Sequence, residues 1–518
     1  MEYVSSPAFG ETQYCKHRES EQCAVVLLEN QDACRLDAYG HWLEEKGYTQ
    51  WQREEKEHRI FAAYRKGSHG MFLNWFSGTR QLQLVEEENS AYFDFRDEAG
   101  EVCATPQLTQ VFLSDYGLSD LIRLPDGRLI LIDGGNVYEK DIDHLFALMQ
   151  AESEKPVIAA WIFTHPHSDH YYCFLPFMEK YGKQVEIQKL LYNFPQYDDF
   201  EHYPVLAREQ TVFAKWSGIE HITKSEALRM FREKVAQLQI PVYTPHTGQR
   251  YRIGDAKIWF CGSMDDTLHC TKNLNAASLI FTMELAGQQI LFGGDGSFGD
   301  AKLAERYGEE LKCDILQIPH HGFGCGTDEG EIDAYRLMEP AVCLLPVEKR
   351  LAYTAFTTYR ESTAFLMSKA GVREMRTGEQ DQVLQLPYTP PADGAKTLEE
   401  NFLRGRDDTG ARTWIFTDLH TGKEADFEFS VLNTTYYPAD IAVELYFENM
   451  QRKILWHNVT GPRLGVFRVG CMPPKEEDPE QLWQQLPKNT YFAVRFTSNL
   501  PVVISHRNHQ PAYRSSVI

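Results

Sequence analysis

The chain has 518 residues, which is more than one ordinary hydrophobic core accommodates and predicts about three domains. A hydrophobic fraction of 43% and a charged fraction of 24% are typical of globular proteins and argue against extensive disorder. The 74 acidic and 52 basic residues give a formal net charge of −22, which argues against nucleic acid or an anionic membrane surface as a partner.

The eleven cysteines are scattered, odd in number and without a C-x-x-C pair, a pattern that suits thiols kept reduced. The N-terminal residues show no apolar signal region, and no stretch reaches the ~18 apolar residues of a membrane helix. These patterns predict a cytoplasmic protein without membrane contact.

Residues 1–105 are predicted to form a small α+β module. In "DAYGHWLEEKGYTQW", Asp37 is a candidate cap for a short helix and Gly47 is a stop signal. Two strand-like runs follow, "RIFAAYRKG" and "GMFLNWFS", joined by a turn. No constellation in this module suggests chemistry.

Residues 106–388 alternate strands, glycine turns and helices, which predicts a layered α/β domain with helices outside the sheets. A Pro-rich stretch at 386–396 is typical of a linker. Seven short alternating runs then predict a β-sandwich over residues 400–518.

The stretch "THPHSDH" at 164–170 follows a strand-like run and is rich in metal-ligating side chains. His165 and His167 stand two residues apart, which in extended chain turns both imidazoles to one side. Asp169 and His170 begin a predicted helix, so their side chains face back toward the loop. One strand, one loop and one helix start thus offer two pairs of metal ligands.

Two later strands also end in ligand-type residues beside glycines. "QQILFGGDG" ends in Asp295, and "DILQIPHHG" ends in His320 and His321. Glycine permits the tight backbone that such strand ends need. Asp295 is therefore a candidate for the carboxylate that bridges a two-metal site.

In their order along the chain, "LIDGG", "THPHSDH", "GGD" and "PHHG" resemble the metallo-β-lactamase superfamily over residues ~106–386. The "N-x-x-S-L-I" run at 275–280 is similar to the branch with DNA-uptake competence metallohydrolases and bacterial phosphorylcholine esterases. The resemblance implies an αββα sandwich with a dinuclear metal site at one edge.

The resemblance also implies roles for the metal ligands. His165 and His167 would hold the first metal ion, and Asp169 and His170 the second, with Asp295 bridging.

The remaining roles concern the histidine pair and the groups around the ligands. His321 would complete the second metal site, while His320 would bind phosphate or donate a proton. Asp169 and His320 are therefore the candidate catalytic residues. Asp133 would orient a ligand imidazole through a hydrogen bond.

Two departures from the family pattern concern the site. Where the family has a small residue and two glycines after the last loop ligand, this chain has Tyr171, Tyr172 and Cys173, which predicts a narrower pocket. No convincing third histidine for the first metal is found; the residues considered for that position are Asn193, Asp198, His202 and His246.

Two divalent ions bring four positive charges against two negative charges from Asp169 and Asp295, which favours an anionic substrate. The leading hypothesis is hydrolysis of a small phosphodiester-type phosphoester by a metal-bound hydroxide. Zinc suits these imidazole and carboxylate ligands best, and manganese or iron is the alternative. A metal-dependent nuclease and a non-catalytic ligand sensor are the rival hypotheses.

The C-terminal residues ~410–510 resemble the small β-sandwich of the sensory rhodopsin transducer family. The stretches that carry this resemblance include "SVLNTT", "VELYFEN" and "PKNTYFAVRFTSNLPVVISHRN". The resemblance implies small-ligand binding or a homo-oligomer formed through this domain.

Overall fold

The computed structural model describes residues 14–18, 23–114, 116–195, 212–216, 219–267, 274–322, 329–347, 367, 371–394, 410–421, 426–434, 439–448, 452–459, 463–470 and 482–509. The chain folds into two compact units. The first is Met1–Glu348 with Ala370–Gly394, and the second is Lys349–Lys369 with Ala395–Ile518.

The strands of the first unit fall into three larger sheets and one hairpin. They are β1 Tyr14–Arg18, β2 Cys23–Leu28, β3 Thr49–Glu55, β4 Arg59–Lys66, β5 His69–Phe76, β6 Gln81–Glu87, β7 Gln107–Gln110, β8 Ser119–Arg123, β9 Leu129–Asp133, β10 Val157–Ile162, β11 Glu186–Ile187, β12 Leu190–Leu191, β13 Val212–Trp216, β14 Ile219–Thr223, β15 Val242–Tyr243, β16 Arg250–Ile253, β17 Ala256–Gly262, β18 Ile280–Leu285, β19 Gln288–Phe292, β20 Ile315–Gln317, β21 Val342–Leu345, β22 Glu374–Thr377 and β23 Gln382–Gln385.

The described α-helices also belong to the first unit. They are α1 Ala33–Glu45, α2 Glu139–Glu152, α3 Ser168–Tyr171, α4 Phe174–Tyr181, α5 Lys224–Leu238, α6 Met264–Thr267, α7 Leu303–Tyr307 and α8 Glu329–Met338.

Two mixed sheets share one apolar core between their inner faces. Their strand orders are β15-β12-β10-β9-β8-β7-β23, with β11 beside β10, and β16-β17-β18-β19-β20-β21-β22. Ile130 and Ile132 of the first sheet and Phe281 of the second are buried together in this core. Since Leu129 and Leu131 are buried in the outer core of the first sheet, the run "LILI" is apolar because both of its faces are covered.

Helices cover the outer faces of both sheets. Trp161 of β10 packs edge-to-face on Phe174 of α4, with ring centroids 5.3 Å apart. On the second sheet, Trp259 of β17 makes the same kind of contact with Tyr307 of α7 at 5.0 Å. The predicted α/β class with a layered αββα arrangement is therefore confirmed.

The N-terminal sheet has the order β1-β2-β6-β5-β4-β3, and its strands β2, β4, β5 and β6 are buried on both faces whereas β3 is largely exposed. One face buries Leu36 and Leu43 of α1, while Phe72 on the other face belongs to the core of the two central sheets. The predicted cap was wrong: α1 begins at Ala33 after Asp32, so Asp37 lies inside the helix, because the apolar stripe begins with Leu36.

Asp120 is a fully buried carboxyl group in the inner face of β8. Its cross-strand neighbours are Gln110 and Ile132, and neither of its oxygens has a hydrogen-bond partner among the described residues. Burial, and then the charge of Asp133, raise the pKa of Asp120 from 3.8 to about 8. We therefore expect the folded protein to hold a proton on Asp120 at neutral pH.

We expect this proton to make stability depend on pH. The unfolded chain releases the proton above pH ~4, so the folded state binds more protons and its stability falls as pH rises from about 4 to 8. The slope from this one group is about 1.4 kcal/mol per pH unit. Asp120→Asn, which is neutral at every pH, should remove that slope in denaturant titrations between pH 5 and 9. Equal slopes in the two proteins would contradict the assignment.

The described strands of the second unit have the order β27-β26-β30-β25-β28-β29, with β24 also paired to β30. The bounds are β24 Ala411–His420, β25 Asp426–Asn433, β26 Ala439–Phe447, β27 Arg452–Val459, β28 Arg463–Gly470, β29 Leu482–Gln485 and β30 Tyr491–His509. Phe429 of β25 packs against Phe416 of β24 at 5.3 Å and Phe496 of β30 at 5.2 Å.

The last two of the seven predicted runs, "YFAVRFTS" and "PVVISHRN", form the single strand β30. The first half of β30 pairs with β26 up to Ser498, and its second half pairs with β25 from Val503. The residues around Pro501 therefore mark a change of pairing partner and not a chain reversal.

The predicted domain boundaries at 105/106 and between 388 and 400 stay predictions, as does an oligomer formed through the C-terminal domain. None of the described helices is long and apolar enough to span a lipid bilayer.

Candidate metal centre

The candidate ligands lie at the ends of buried strands. β10 ends at Ile162, and His165 and His167 follow in the loop before α3, whose first turn carries Asp169 and His170. Asp295 follows β19 after two glycines. The ends of both strands are buried, so the loops that carry the ligands start from packed positions.

The candidate ligand atoms form two groups that share Asp295. The first group is His165, His167 and Asp295. The second group is Asp169, His170, Asp295 and His321. Within each group the ligand atoms lie within 4.8 Å of one another. The Asp169 side chain is 29% exposed whereas that of Asp295 is 3% exposed. Asp169 is therefore the acidic group that solvent or a substrate can reach.

Asp295 is surrounded by imidazole nitrogens. Its Oδ1 lies 3.2 Å from Nε2 of His170, and its Oδ2 lies 3.5 Å from Nε2 of His321 and 3.8 Å from Nε2 of His165. Nε2 of His321 also lies 3.3 Å from Oδ2 of Asp169. Both carboxylates thus face the Nε2 atoms of His170 and His321, and Asp295 alone also faces His165.

Asp133 lies behind His170 and fixes its ring. Its Oδ2 is 2.8 Å from Nδ1 of His170 and accepts from Oγ1 of Thr164 at 2.6 Å, while its Oδ1 accepts from the Thr164 backbone N–H at 2.7 Å. The backbone of Asp133 has φ of 51°, in the left-handed region. The predicted partner of a ligand imidazole therefore has the geometry for that role.

The geometry fits a bound cation. When His170 donates its Nδ1 proton to Asp133, the lone pair on Nε2 faces the oxygen lone pairs of Asp295, and these repel unless a positive charge lies between them. Nε2 of His165 and Nε2 of His170 have no hydrogen-bond partner among the described residues. The residues therefore suit divalent metal ions held by imidazole and carboxylate.

The pKa shifts of the histidines in the site also fit a bound cation. Burial disfavours charge on the imidazole of His170, but Asp295, Asp133 and Asp169 together raise its pKa well above the usual range. Burial is likewise outweighed at His321, where Asp295 and Asp169 raise the pKa to about 9. Burial and the neighbouring His170 lower the pKa of His165 well below its usual value. The carboxylates of Asp133, Asp169 and Asp295 thus favour a positive charge at the site.

The histidine pair after β20 has an unusual backbone. His320 and His321 have φ of 50° and 52°, both in the left-handed region, which costs of order 1–2 kcal/mol per residue. The structure brings His321 into the second ligand group. It holds His320 apart, with Nε2 3.1 Å from Nδ2 of Asn275.

Other residues that hold the site together were not singled out by sequence reasoning. Gln317 accepts hydrogen bonds from the backbone N–H groups of Gly293 and Gly294, both at 2.9 Å. Gly294 has φ of 53°, and a Cβ there would lie 2.9 Å from Cβ of Thr164. The only sequence signal for Gln317 is a polar residue inside an otherwise apolar strand.

Among the described residues, no third histidine joins the first ligand group. Asn193 donates to Oδ2 of Asp265 at 3.0 Å, and Nδ1 of His246 lies 2.6 Å from the same oxygen. Neither residue is a member of either ligand group. Asp198 and His202 lie outside the described residues.

The bulky residues after His170 fill the core. Tyr171 is buried with its ring edge-to-face on Phe194 at 5.3 Å and Phe231 at 5.4 Å. Cys173 lies against Gly134, where a Cβ would come within 2.2 Å of its Sγ. The side chains of Tyr171 and Cys173 therefore lie in the core behind α3. Their positions give no support to the prediction that these residues narrow the pocket.

We expect Asp133→Asn to weaken metal binding about 10–100-fold. The amide keeps the size of the carboxylate, but it presents N–H donors toward groups that are themselves donors, so the ring of His170 loses its anchor. Chelator competition against wild type measures the change in affinity. Unchanged affinity would show that Asp133 does not orient His170.

Residues 116–269 match the family model of the metallo-beta-lactamase superfamily. This confirms the resemblance found from the motifs, although Asp295, His320 and His321 lie beyond the matched residues. Together with the two His/Asp groups, the match supports a metal-dependent hydrolase, and members of this superfamily bind divalent metals.

A search of curated proteins found no match. Among solved structures, the chain is similar to the Anabaena sensory rhodopsin transducer, with 21% identity over 20% of this chain and 99% of that chain and a TM-score of 0.15. It is similar to Thermotoga maritima 1070, with 18% identity over 20% of this chain and 92% of that chain and a TM-score of 0.16. It is also similar to a mutant flavo di-iron protein from Thermotoga maritima, with 12% identity over 70% of this chain and 64% of that chain and a TM-score of 0.21.

Proposed function

We propose that this protein hydrolyses a small phosphodiester-type phosphoester at a site for two divalent metal ions, with zinc as the preferred ion. The match of residues 116–269 to the family model of the metallo-beta-lactamase superfamily supports this proposal. The observation that carries the proposal is the pair of ligand groups that share Asp295. A single carboxylate common to two groups is what a two-metal hydrolase needs.

The charge of the site favours an anionic substrate. When bound, a pair of divalent ions lowers the pKa of water and offers positive charge to phosphoryl oxygens. Asp169 and Asp295 cancel two of the four positive charges, and the imidazoles are neutral when they act as ligands. The surplus of two positive charges attracts a phosphodiester more strongly than a neutral ester or amide.

Different side chains of the protein orient the metal ligands and contact the substrate. Asp133 holds His170 in one orientation, and Asp295 is the carboxylate common to both ligand groups. His320 belongs to neither group and is partly exposed, so it is available to bind a phosphoryl oxygen or to give a proton to the leaving group. The protein therefore has separate residues for holding ions and for contacting substrate.

The test is hydrolysis of bis(p-nitrophenyl) phosphate by metal-loaded protein, compared with p-nitrophenyl phosphate, a lactone, a β-lactam and single-stranded DNA. We expect turnover of the diester, with slower turnover of the others, and its loss in Asp295→Ala. DNA cleavage would favour the nuclease alternative. A protein that binds metal but turns over none of the five, and is stabilised by an anion without forming product, would favour the sensor alternative.

A further inference from the structure

The segment Asn275–Leu279 contacts three parts of the site without supplying a candidate ligand. Nδ2 of Asn275 lies 3.1 Å from Nε2 of His320, and Oγ of Ser278 accepts from the backbone N–H of Asp295 at 3.1 Å. The backbone N–H of Leu279 donates to the carbonyl of Thr164, the residue before the first ligand, at 2.9 Å. This one segment therefore contacts His320, the backbone of the shared ligand Asp295 and the start of the ligand loop at Thr164.

The segment is itself held in place on both sides. Thr267 of α6 donates its hydroxyl to the carbonyl of Ala276, and the Ser278 backbone N–H donates to the carbonyl of Asn275 at 3.0 Å. Ala277 and Leu279 are fully buried, and Asn275 itself is only 8% exposed. The Asn275 side chain thus projects from a fixed backbone and has little freedom to follow His320 if that ring moves.

We propose that Asn275 is the positioning residue for His320: its amide fixes the ring orientation and the tautomer in which His320 meets the substrate. The proposal rests on the proposed function, in which His320 contacts a phosphoryl group or the leaving group. The amide nitrogen of asparagine can only donate, so Nε2 of His320 must accept and the ring proton lies on Nδ1. Nδ1 is then the atom with which His320 donates a hydrogen bond.

The alternative is that Asn275 only closes its own turn. That role would be served by its backbone carbonyl, which already bonds the N–H of Ser278. It would not depend on whether the side chain at this position donates or accepts. The two roles are therefore separable by the choice of substitution.

The first arm of the test reads the tautomer of His320 by ring-nitrogen NMR of histidine-labelled, metal-loaded protein, with the His320 signals assigned by their loss in His320→Gln. We expect the proton on Nδ1 in wild type. In Asn275→Asp we expect it on Nε2, because a carboxylate can only accept. A proton on Nε2 in wild type, or an unchanged tautomer in Asn275→Asp, would overturn the proposal.

The second arm is a double-mutant cycle with Asn275→Ala and His320→Ala, and Asn89→Ala as a surface control. We expect Asn275→Ala to retain its metal and to lose roughly tenfold or more in kcat/KM on the diester. The same substitution in the His320→Ala background should have little further effect, and additive losses would overturn the proposal. A wild type with the Nδ1 tautomer but no diester turnover would refute the proposed function while the positioning of His320 stands.

Discussion

Replacing Asp295 by alanine is expected to leave the protein without bound metal and to abolish hydrolysis. Asp295 is the residue common to both ligand groups, and its oxygens lie 3.2–3.8 Å from the Nε2 atoms of His165, His170 and His321. Its removal takes a carboxylate from both groups at once. It also leaves His170 and His321 with less negative charge to balance a bound ion.

Asp169→Ala provides the matched comparison because Asp169 belongs to the second group only. We expect about one ion per chain in this variant and none in Asp295→Ala, as measured by elemental analysis after removal of loosely bound ions. Asp300→Ala, an exposed carboxylate five residues from Asp295, should keep the wild-type ion content. Equal ion loss in Asp169→Ala and Asp295→Ala would contradict the shared role of Asp295.

Replacing Arg306 by methionine is expected to destabilise the first unit by about 3–5 kcal/mol. Arg306 donates to Oδ1 of Asp266 at 2.7 Å and to Oε1 of Gln81 at 3.1 Å, and its side chain is 2% exposed. Asp266 also accepts from Nε2 of Gln83 at 2.8 Å. Methionine keeps much of the apolar stem but leaves the carboxylate of Asp266 buried without its cation.

Denaturant unfolding gives the loss of stability. Arg336→Met is the control, because Arg336 forms an ion pair with Asp333 at 3.0 Å but its side chain is 70% exposed. Exposed pairs of this kind contribute about 1 kcal/mol or less. A similar small loss for both variants would show that the buried Arg306–Asp266 pair does not stabilise the first unit more than an exposed pair does.

Most of the site could be predicted because its ligands are close in sequence or stand at strand ends. His165, His167, Asp169 and His170 occupy six positions, so one turn of chain already brings them together. Asp295 and His321 are distant, but each follows an apolar strand beside glycine, and strand ends of neighbouring sheets meet at one edge. Strand ends and glycine placement therefore marked these residues as candidates, and the resemblance to the metallo-β-lactamase superfamily implied their roles, including the choice of His321 over His320.

The other features of the site and the fold depend on contacts between residues that are distant in the sequence, and no local sequence pattern predicts such contacts. Asn275 and His320 are 45 positions apart and meet through side chains, and Arg306 reaches Gln81 across 225 positions. The packing of the N-terminal sheet on the core of the central sheets could not be predicted either, because a buried strand has the same composition whichever element covers it. Asp120 carries no sequence signal for burial, since an aspartate near a strand start is usually exposed.

The most direct test of the two-metal assignment is anomalous X-ray diffraction from crystals of protein purified without chelator, with data collected above the absorption edge of the metal identified by elemental analysis. We expect two anomalous peaks per chain, one contacting His165, His167 and Asp295 and the other contacting Asp169, His170, Asp295 and His321. The absence of peaks at these residues, or a metal bound elsewhere in the chain, would contradict the assignment.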